Sequence, residues 1–302
     1  MVLDRPRILL TGASGRVGSA VAQALSRRGA AYSVMLRAPE KAQALPGAPK
    51  VLKGDLLDGE SCRAALTEAD AALLITPVGP DETEAGRTFL DAAEATGSPR
   101  IVYISIMRLR KMRAIPHFEA KVPIADRVLA DDRNTVLEPN FFFQNDNFYL
   151  PALAQGLYPL PLGKVGVNSV DVRDIAEAAA AALLTERDLP GPWPLCGPDV
   201  VTEQSAADRY AEHLGRPIAT LKGDINVWIN ATKQALPIDE WFENDLRKMM
   251  EVTQEQGCLA TQDDIKRAER AVGRPLRRYD DFVAEIAATT LSAQAEGGPT
   301  AS

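Results

Sequence analysis

The feature that most constrains the fold is a glycine-rich loop close to the N-terminus. The segment Thr11–Gly18 reads TGASGRVG; an apolar run, Arg7–Thr11, precedes it, and an amphipathic stretch, Val17–Arg28, follows it. A strand that passes through such a loop directly into a helix is typical of the first unit of a dinucleotide-binding sheet. The order of these three pieces therefore predicts an α/β fold that begins with a phosphate-binding turn.

In this interpretation, each glycine of the loop has a separate structural role. Gly12 lets the chain turn, Gly15 lets the backbone approach a pyrophosphate, and Gly18 lets the helix pack closely on the strand. The diphosphate then lies on the unpaired N–H groups at the positive end of the helix. The alternative is a tight glycine turn that binds no ligand. Besides the three glycines, the predicted cofactor contacts of the loop are Thr11, Ser14, Arg16 and Val17.

Short β-type runs alternate with amphipathic stretches throughout the first half of the chain. This alternation predicts parallel strands joined by right-handed crossovers, which is a doubly wound (Rossmann) α/β sheet. The predicted strands are Arg7–Thr11, Tyr32–Leu36, Lys50–Lys53, Ala71–Ile75, Arg100–Ser105 and Asn134–Leu137. The predicted helices between them are Val17–Arg28, Gly59–Glu68, Thr83–Ala95 and Glu119–Ala130.

The alternation weakens after Pro139, where prolines punctuate the chain and helical patterns dominate. We predict a dinucleotide-binding domain at residues 1–150 and a smaller, mostly helical C-terminal substrate-binding cap at residues 151–302. The segment 165–185 is expected to return to the first domain, with Val170–Leu184 as a short strand that runs into an alanine-rich helix. Because ligands bind beyond the carboxyl ends of parallel strands, the site is expected between sheet and cap.

The end of the second strand indicates which dinucleotide binds. NAD sites usually carry an acidic residue about 20 residues past the glycine loop, where it holds the ribose 2′-hydroxyl. Here Met35–Ala38 reads MLRA without an acid, and Arg37 is suited to pair with a 2′-phosphate. Arg16 and Lys41 add positive potential. The sequence therefore predicts NADP(H) in preference to NAD(H); the alternative is that Arg37 is only solvated.

Three further strand ends supply candidate cofactor contacts. Asp55 and Leu56 follow the third strand and are predicted to touch the adenine, although ordinary loop chemistry also fits them. Thr76 and Pro77 follow the fourth strand and are predicted to flank the nicotinamide ribose, with the same alternative. After the sixth strand, Asn140 with the aromatic run Phe141–Phe143 is predicted to form the wall beside the nicotinamide, and the alternative is that the aromatic run is core. The cofactor contacts predicted there are Pro139, Asn140 and Phe141.

Composition excludes several other kinds of protein. The 302 residues carry 34 Lys and Arg against 41 Asp and Glu, a net charge of −7, which argues against binding a nucleic-acid backbone. The three cysteines are far apart and lack metal-ligand spacing, so we expect neither a disulfide framework nor a metal site. The longest apolar run, Ala178–Leu184, is far shorter than the roughly 20 residues of a membrane span. With no signal-peptide pattern either, the chain is expected to be cytoplasmic and without a membrane partner.

Several segments together resemble the NmrA-like group of atypical short-chain dehydrogenases/reductases. Beyond the glycine loop they are, in order, Arg37–Lys41, Lys53–Leu56, Arg100–Ser105, His117–Lys121, Glu138–Phe142 and Val170–Ala176. They cover about residues 5–185, and beyond this range the resemblance is diffuse. The resemblance implies a Rossmann domain, NADP(H) binding and a cleft roofed by the C-terminal part. The group contains working reductases, including quinone reductases, and redox-sensing regulators that bind the dinucleotide without clear turnover.

The candidate catalytic residues depart from the pattern of short-chain reductases in general, which use a tyrosine and a lysine four residues later. No tyrosine here has a lysine at that spacing, whereas His117 and Lys121 have it and share one helix face. We predict that His117 protonates the developing oxyanion and that Lys121 holds the nicotinamide ribose. Similar His-x-x-x-Lys elements occur in NmrA-like proteins. The alternative is that His117 only begins the helix.

Other residues near this element leave two interpretations open. Ser105, at the end of the fifth strand, either orients the substrate carbonyl or only caps the strand. Pro123 removes a backbone donor early in the helix and is expected to kink it. A group of cations either attracts an anionic substrate or forms a solvated loop. These cations are Arg108, Arg110, Lys111 and Arg113.

The sequence thus predicts an NADPH-dependent oxidoreductase that transfers hydride to a small conjugated or aromatic carbonyl compound, such as a quinone, an enone or a ketone. The alternative is an NADP(H)-sensing regulatory protein of the NmrA type that acts through a protein partner without turnover. A homodimer or another protein partner is compatible with both.

Overall fold

Strands and helices alternate along the part of the chain that the structure, a computed structural model, describes, which is residues 6–296. The strands are β1 (Ile8–Leu10), β2 (Tyr32–Leu36), β3 (Lys50–Lys53), β4 (Ala71–Leu74), β5 (Arg100–Ile104), β6 (Thr135–Pro139), β7 (Leu157–Tyr158), β8 (Gly191–Leu195) and β9 (Ala219–Thr220). The helices are α1 (Arg16–Arg27), α2 (Gly59–Leu66), α3 (Glu82–Ala95), α4 (Pro116–Val128), α5 (Leu150–Ala154), α6 (Val172–Leu183), α7 (Glu203–Leu214), α8 (Ile225–Ala235), α9 (Glu240–Gln256), α10 (Gln262–Val272) and α11 (Tyr279–Glu296). In the first half, observed and predicted ends differ by at most three residues.

One parallel sheet carries the fold. Its seven strands lie in the order β3-β2-β1-β4-β5-β6-β8, with Ile8 of β1 in register with Tyr32 on β2 and with Ala71 on β4. β1 and β4 are fully buried because helices cover both faces, which explains their uninterrupted apolar sequences. The strand order reverses between β1 and β4, the point at which sheets of this kind open a ligand crevice. The predicted doubly wound α/β fold is confirmed.

The chain divides into two compact units, and neither is continuous in sequence. Within the described residues, the first unit consists of 6–139, 172–195 and 263–275. It contains the seven-stranded sheet, and α6 packs against α1 inside it. The alanine-rich α6 is buried over most of its length, and its Glu177 forms an ion pair of 2.6 Å with Arg28.

One predicted strand near this region was wrong, and one strand was missed. Val170–Leu184 does contain a helix, α6, but no strand precedes it, because Val170 forms only an isolated bridge with Phe142. A strand was missed at β8, which pairs with β6 in parallel and contains Pro192 and Pro194. Prolines usually argue against a strand, but they are tolerated at the edge of a sheet, where only one side of the backbone is paired.

The second unit consists of residues 140–171, 196–262 and 276–296 of the described chain and holds most of the later helices. A short two-stranded sheet of β7 and β9 lies within it. Its core contains the buried carboxylate of Asp146, which accepts hydrogen bonds from the hydroxyls of Tyr158 (3.2 Å), Tyr210 (3.1 Å) and Tyr279. Burial raises the pKa of Asp146 to about 6, although these three hydrogen bonds oppose the shift.

Within residues 6–296, no helix combines the length and the apolar composition that a membrane span requires.

Candidate functional site

A cleft of about 540 Å³ lies where β1, β2, β3 and β4 end in the first unit. Its walls come from the loops that follow these four strands and from the first turn of α3. Ligands of parallel sheets bind at this edge, beside the point where the strand order reverses. The cleft is therefore the candidate cofactor site of the described chain.

The glycine loop forms one wall of the cleft through Thr11, Gly12, Ser14 and Gly15. Gly12 has a φ of +61°, a left-handed conformation that favours glycine, and a Cβ atom there would lie 2.9 Å from Cβ of Ile75. The Gly15 amide donates to the Gly12 carbonyl at 3.0 Å and closes the turn. The loop is thus held tightly against β1 and β4.

Helix α1 begins directly after this turn. Gly15 is its N-cap, and no side chain caps the first turn, so backbone N–H groups are presented at the positive end of the helix. Gly18 does not line the cleft; a Cβ atom on it would lie 2.2 Å from the Gly12 carbonyl oxygen. Gly18 therefore allows α1 to pack on the loop. Arg16 and Val17 start the helix without lining the cleft, and burial lowers the pKa of Arg16.

Arg37 lines the cleft at the end of β2, together with Met35. No acidic side chain from the end of this strand lines the cleft, so Arg37 is the charged residue that β2 contributes to it. Lys41 lies on the exposed surface of a 3₁₀ segment, Pro39–Ala44, and does not line the cleft.

The loop after β3 contributes Gly54, Asp55 and Leu56 to the cleft. The carboxylate of Asp55 accepts a hydrogen bond of 3.0 Å from the Leu57 amide, so part of its capacity stabilises its own turn. A Cβ atom on Gly54 would lie 2.8 Å from Sδ of Met35. Gly54 and Met35 are thus packed together in this wall, a contact that the sequence analysis did not anticipate.

A buried polar cluster borders the cleft after β4, where Thr76 and Pro77 lie. Thr76 Oγ1 donates to Glu82 Oε1 at 2.6 Å and accepts from Lys121 Nζ at 3.2 Å. Lys121 also forms an ion pair with Glu82. Glu82, from the first turn of α3, is fully buried, and Lys121, from α4, is 5% exposed. The predicted ribose-binding lysine is therefore held by a carboxylate that the sequence analysis did not single out.

On or beside β5 lie two buried hydroxyl groups that have no hydrogen-bond partner within residues 6–296. The hydroxyl of Tyr103 faces Thr76 and Lys121 without a hydrogen bond of normal geometry, and burial raises its pKa. Lys121 Nζ lies 6.0 Å from the centre of the Tyr103 ring. Ser105 Oγ is buried and has no partner among the described residues. Neither hydroxyl therefore stabilises the end of a strand through a hydrogen bond to another described residue.

His117 lies in the first turn of α4, after Pro116. It is 7% exposed, packs edge-on against Phe118 with ring centres 4.8 Å apart, and does not line the cleft. Helix α4 continues past Pro123, so that His117 and Lys121 share a continuous helix. The proton-donor role of His117 stays a prediction.

The cationic loop before α4 is largely neutralised by acidic partners. Arg108 pairs with Asp264 at 2.7 Å, Arg113 pairs with Glu119 at 2.5 Å, and Arg110 pairs with Asp126. Of these pairs, the first is partly buried and the other two are exposed. The positive charge expected to attract an anionic substrate is thus mostly compensated within the unit.

The sequence model that describes the NmrA-like family matches residues 4–283, which is nearly the whole chain. The chain belongs to the NmrA-like family. The glycine loop, the cleft and the lysine of α4 described above are therefore features of one member of this family, and the predicted resemblance is confirmed.

Other proteins resemble this NmrA-like chain over most of their length. An NAD(P)H azoreductase of Xenophilus azovorans is 24% identical over 295 residues, which cover 93% of this chain and 98% of the relative. A crystal structure of an NADPH-dependent quinone oxidoreductase of Escherichia coli with NADPH has a TM-score of 0.79 at 22% identity, with 92% and 99% coverage. NmrA, a negative transcriptional regulator, in complex with NADP has a TM-score of 0.75 at 15% identity, with 98% of each chain covered.

The predicted nicotinamide-side wall of this family member divides between the units. Pro139 ends β6 in the first unit, and its carbonyl accepts a hydrogen bond of 2.9 Å from the Met107 amide. Asn140 and Phe141 belong to the second unit. The buried side chain of Asn140 donates to the Cys258 carbonyl at 2.8 Å and accepts from the Phe141 amide at 2.8 Å. Asn140 thus has a clear structural role, and its contact with a cofactor stays a prediction.

Proposed function

We propose that this protein is an NADP(H)-dependent reductase. The observation that carries the proposal is the cleft in which an uncapped helix N-terminus, a tight glycine loop and Arg37 face one volume without an acid from the end of β2. Backbone N–H groups at a helix end suit a diphosphate, and a guanidinium suits a 2′-phosphate. Enzymes among the relatives and neighbours carry the names azoreductase and quinone oxidoreductase, which favours reduction over other uses of a dinucleotide.

The residues of the cleft fit such a cofactor in their chemistry. Gly12 and Gly15 would leave room for the diphosphate, Arg37 would pair with the 2′-phosphate, and Asp55 with Leu56 would border the adenine. Lys121, beside Thr76, would donate to the nicotinamide ribose. The reduced dinucleotide supplies a hydride for an electron-poor acceptor when it is bound.

The proton that balances this hydride would come from His117 in our proposal. An imidazole is a suitable acid near neutral pH, and His117 precedes Lys121 by one helical turn. Ser105, whose hydroxyl has no partner among the described residues, would orient the acceptor oxygen. The acceptor class that we propose is a small conjugated or aromatic compound, such as a quinone, an enone or a ketone.

Turnover under anaerobic conditions tests this proposal. NADPH and NADH oxidation would be followed in parallel against quinones, enones, aldehydes and ketones, with nicotinamide fluorescence as a separate measure of binding. We expect saturable turnover with at least one acceptor and a preference for NADPH. Tight NADPH binding without any turnover would contradict the reductase, and absence of binding would contradict the cofactor itself.

A second candidate function is an NADP(H)-sensing regulator that acts through a protein partner. Its support is the likeness to NmrA, and the observation that His117 does not line the cleft of the described chain. We expect such a regulator to bind a protein partner in a dinucleotide-dependent way. Recovery of the same partners in a pulldown with NADP⁺, with NADPH and without either would count against it.

A further inference from the structure

Among the described carboxylates that line the cleft, Glu82 alone is fully buried. One of its oxygens, Oε1, accepts from Thr76 at 2.6 Å and pairs with Lys121. The other, Oε2, is buried and has no hydrogen-bond partner among the described residues. A buried carboxylate is costly unless it is paired. Its position beside the cleft therefore calls for an explanation.

The packing of α3 on α4 brings Glu82 and Lys121 together. Gly86 lies one turn after Glu82, and its missing side chain makes room for Ile124, which lies three residues after Lys121. The hydroxyl of Thr83 donates to the Ala120 carbonyl at 2.9 Å. These contacts hold α3 and α4 together next to Glu82 and Lys121. The position of the ion pair is therefore fixed by the packing of the two helices.

Stability alone does not account for this ion pair. Replacing a buried pair by apolar residues is often neutral or stabilising, whereas breaking one costs a great deal. The first turn of α3 favours a carboxylate through the helix dipole, but an exposed carboxylate would serve that purpose equally well. What the structure does show is one carboxylate oxygen, Oε1 of Glu82, in contact with both Lys121 Nζ and Thr76 Oγ1.

We propose that Glu82 is the positioning residue for Lys121, and that it keeps the ammonium charged and directed toward the nicotinamide end of the cofactor site. This inference rests on the proposed dinucleotide-binding function. In this inference Lys121 is a hydrogen-bond donor, and the negative charge of Glu82 balances its positive charge. The pair as a whole then adds no net charge beside the reacting groups.

The other titratable groups around Lys121 do not replace Glu82. Helix α4 packs against α3, β5 and β6. On β5, Tyr103 faces the lysine, and its raised pKa keeps it neutral. On β6, burial raises the pKa of Glu138, and the positive charges of Arg110, Arg267 and Arg108 oppose this shift. His117 lies on α4 itself, and it provides no negative charge. Glu82 is thus a carboxylate that pairs directly with Lys121.

The test uses NADPH binding by the full chain, measured by nicotinamide fluorescence at about pH 7 and about pH 9.5, a range over which an ordinary lysine stays mostly charged. The variants are Glu82→Gln, Lys121→Met, the double variant of both, and Glu84→Gln as a matched control on the exposed face of α3. The glutamine retains an oxygen for Thr76 but removes the charge. A buried ammonium without its counterion loses its proton more easily.

We expect Glu82→Gln to bind NADPH at least about 10-fold more weakly at the higher pH than at the lower, while the parent protein and Glu84→Gln change by less than about 2-fold. Lys121→Met should bind weakly at both pH values. The double variant should bind no more weakly than Lys121→Met, because Glu82 acts through the lysine. A Glu82→Gln protein that follows the parent at both pH values, or losses that add in the double variant, would overturn the inference.

The same data separate this inference from the proposed function. If the parent chain does not bind NADPH, the cofactor proposal fails, and this inference fails with it. If the parent binds but Lys121→Met binds equally well, only the roles of Lys121 and Glu82 fail. Where Glu82→Gln does not fold, the double variant Glu82→Met with Lys121→Met removes both charges and Glu82→Asp retains the charge. If Glu82→Asp binds NADPH equally well at both pH values, the inference is supported. If Glu82→Asp folds but binds NADPH more weakly at the higher pH, the inference is opposed.

Discussion

Gly86 on α3 and Ile124 on α4 are packed so closely that a Cβ atom at position 86 would lie 2.4 Å from Cδ1 of Ile124. Alanine normally stabilises a helix interior by roughly 0.5–1 kcal/mol relative to glycine. Here we predict that Gly86→Ala lowers the free energy of unfolding by about 1–3 kcal/mol, since the helices must separate. Gly59→Ala on α2, whose Cβ would meet its nearest neighbour at an ordinary 3.4 Å, is the matched control in urea denaturation.

The Gly86→Ala variant also bears on the cofactor site. Separation of α3 from α4 would loosen the ion pair between Glu82 and Lys121, so NADPH affinity should fall together with stability. A second change, Ile124→Val, removes the methyl group that the new Cβ approaches most closely and should restore part of both losses. Equal stabilities of Gly86→Ala and Gly59→Ala would show that the contact is not limiting.

Cofactor preference should depend on Arg37. It lines the cleft at the end of β2, where no acidic side chain borders the cleft. We predict that Arg37→Ala weakens NADPH binding about 10- to 100-fold, the effect of losing one charged hydrogen-bonding partner, and leaves NADH binding nearly unchanged. Lys41→Ala, at an exposed position outside the cleft, should have a much smaller effect. Fluorescence titration of the parent and both variants with each dinucleotide measures the affinities, and equal losses for NADPH and NADH in Arg37→Ala would contradict the assignment.

His117 should affect the rate more than cofactor binding. If it donates the proton, His117→Phe should lower kcat by about 100-fold or more and leave NADPH affinity within about 2-fold. Phenylalanine retains an aromatic ring against Phe118 and so preserves the edge-on packing. Steady-state kinetics with the best acceptor, paired with thermal unfolding, distinguish the two roles. Parallel losses of rate, affinity and stability would make His117 a structural residue.

Asp146 should make the second unit pH-sensitive. Its pKa is raised to about 6 from an ordinary value of 3.8, so the folded state favours the protonated form. The contribution of Asp146 to stability is therefore complete below about pH 4 and is lost as the pH rises through about 6, by on the order of 3 kcal/mol. We predict that the difference in unfolding free energy between parent and Asp146→Asn changes over this range. Asp208→Asn, exposed on α7, should show no such change in urea melts at several pH values.

The first half of the fold follows from local sequence patterns. The glycine loop, the apolar strands and the amphipathic helices all repeat on the scale of one strand or one helix, so their ends were predicted within three residues. β8 was missed because its prolines argue against a strand, and only its place at the sheet edge makes them acceptable. Edge position depends on the whole sheet and is not encoded locally.

In the candidate site, too, some residues could be predicted from local sequence patterns and others could not. The strand-end residues Arg37, Asp55 and Thr76 all border the cleft, because the carboxyl ends of parallel strands meet at one edge. Glu82 gave no such signal, since an acidic residue in the first turn of a helix is ordinary. Its meeting with Lys121 depends on the close approach of α3 and α4, which Gly86 permits. Single-sequence reasoning cannot detect a pair whose members are 39 residues apart.

The outer strand of the sheet closes one route of self-association. The Gly191 amide of β8 points inward, to the Asn134 carbonyl, so the alternate positions Pro192 and Pro194 face outward and have no N–H to donate. The outward carbonyl of Pro192 is already bound by Arg267 at 2.6 Å. A strand from a second chain would find no N–H donor at these two positions, and the Pro192 carbonyl is already occupied. The two prolines and Arg267 therefore oppose fibril-like growth of the sheet at this border.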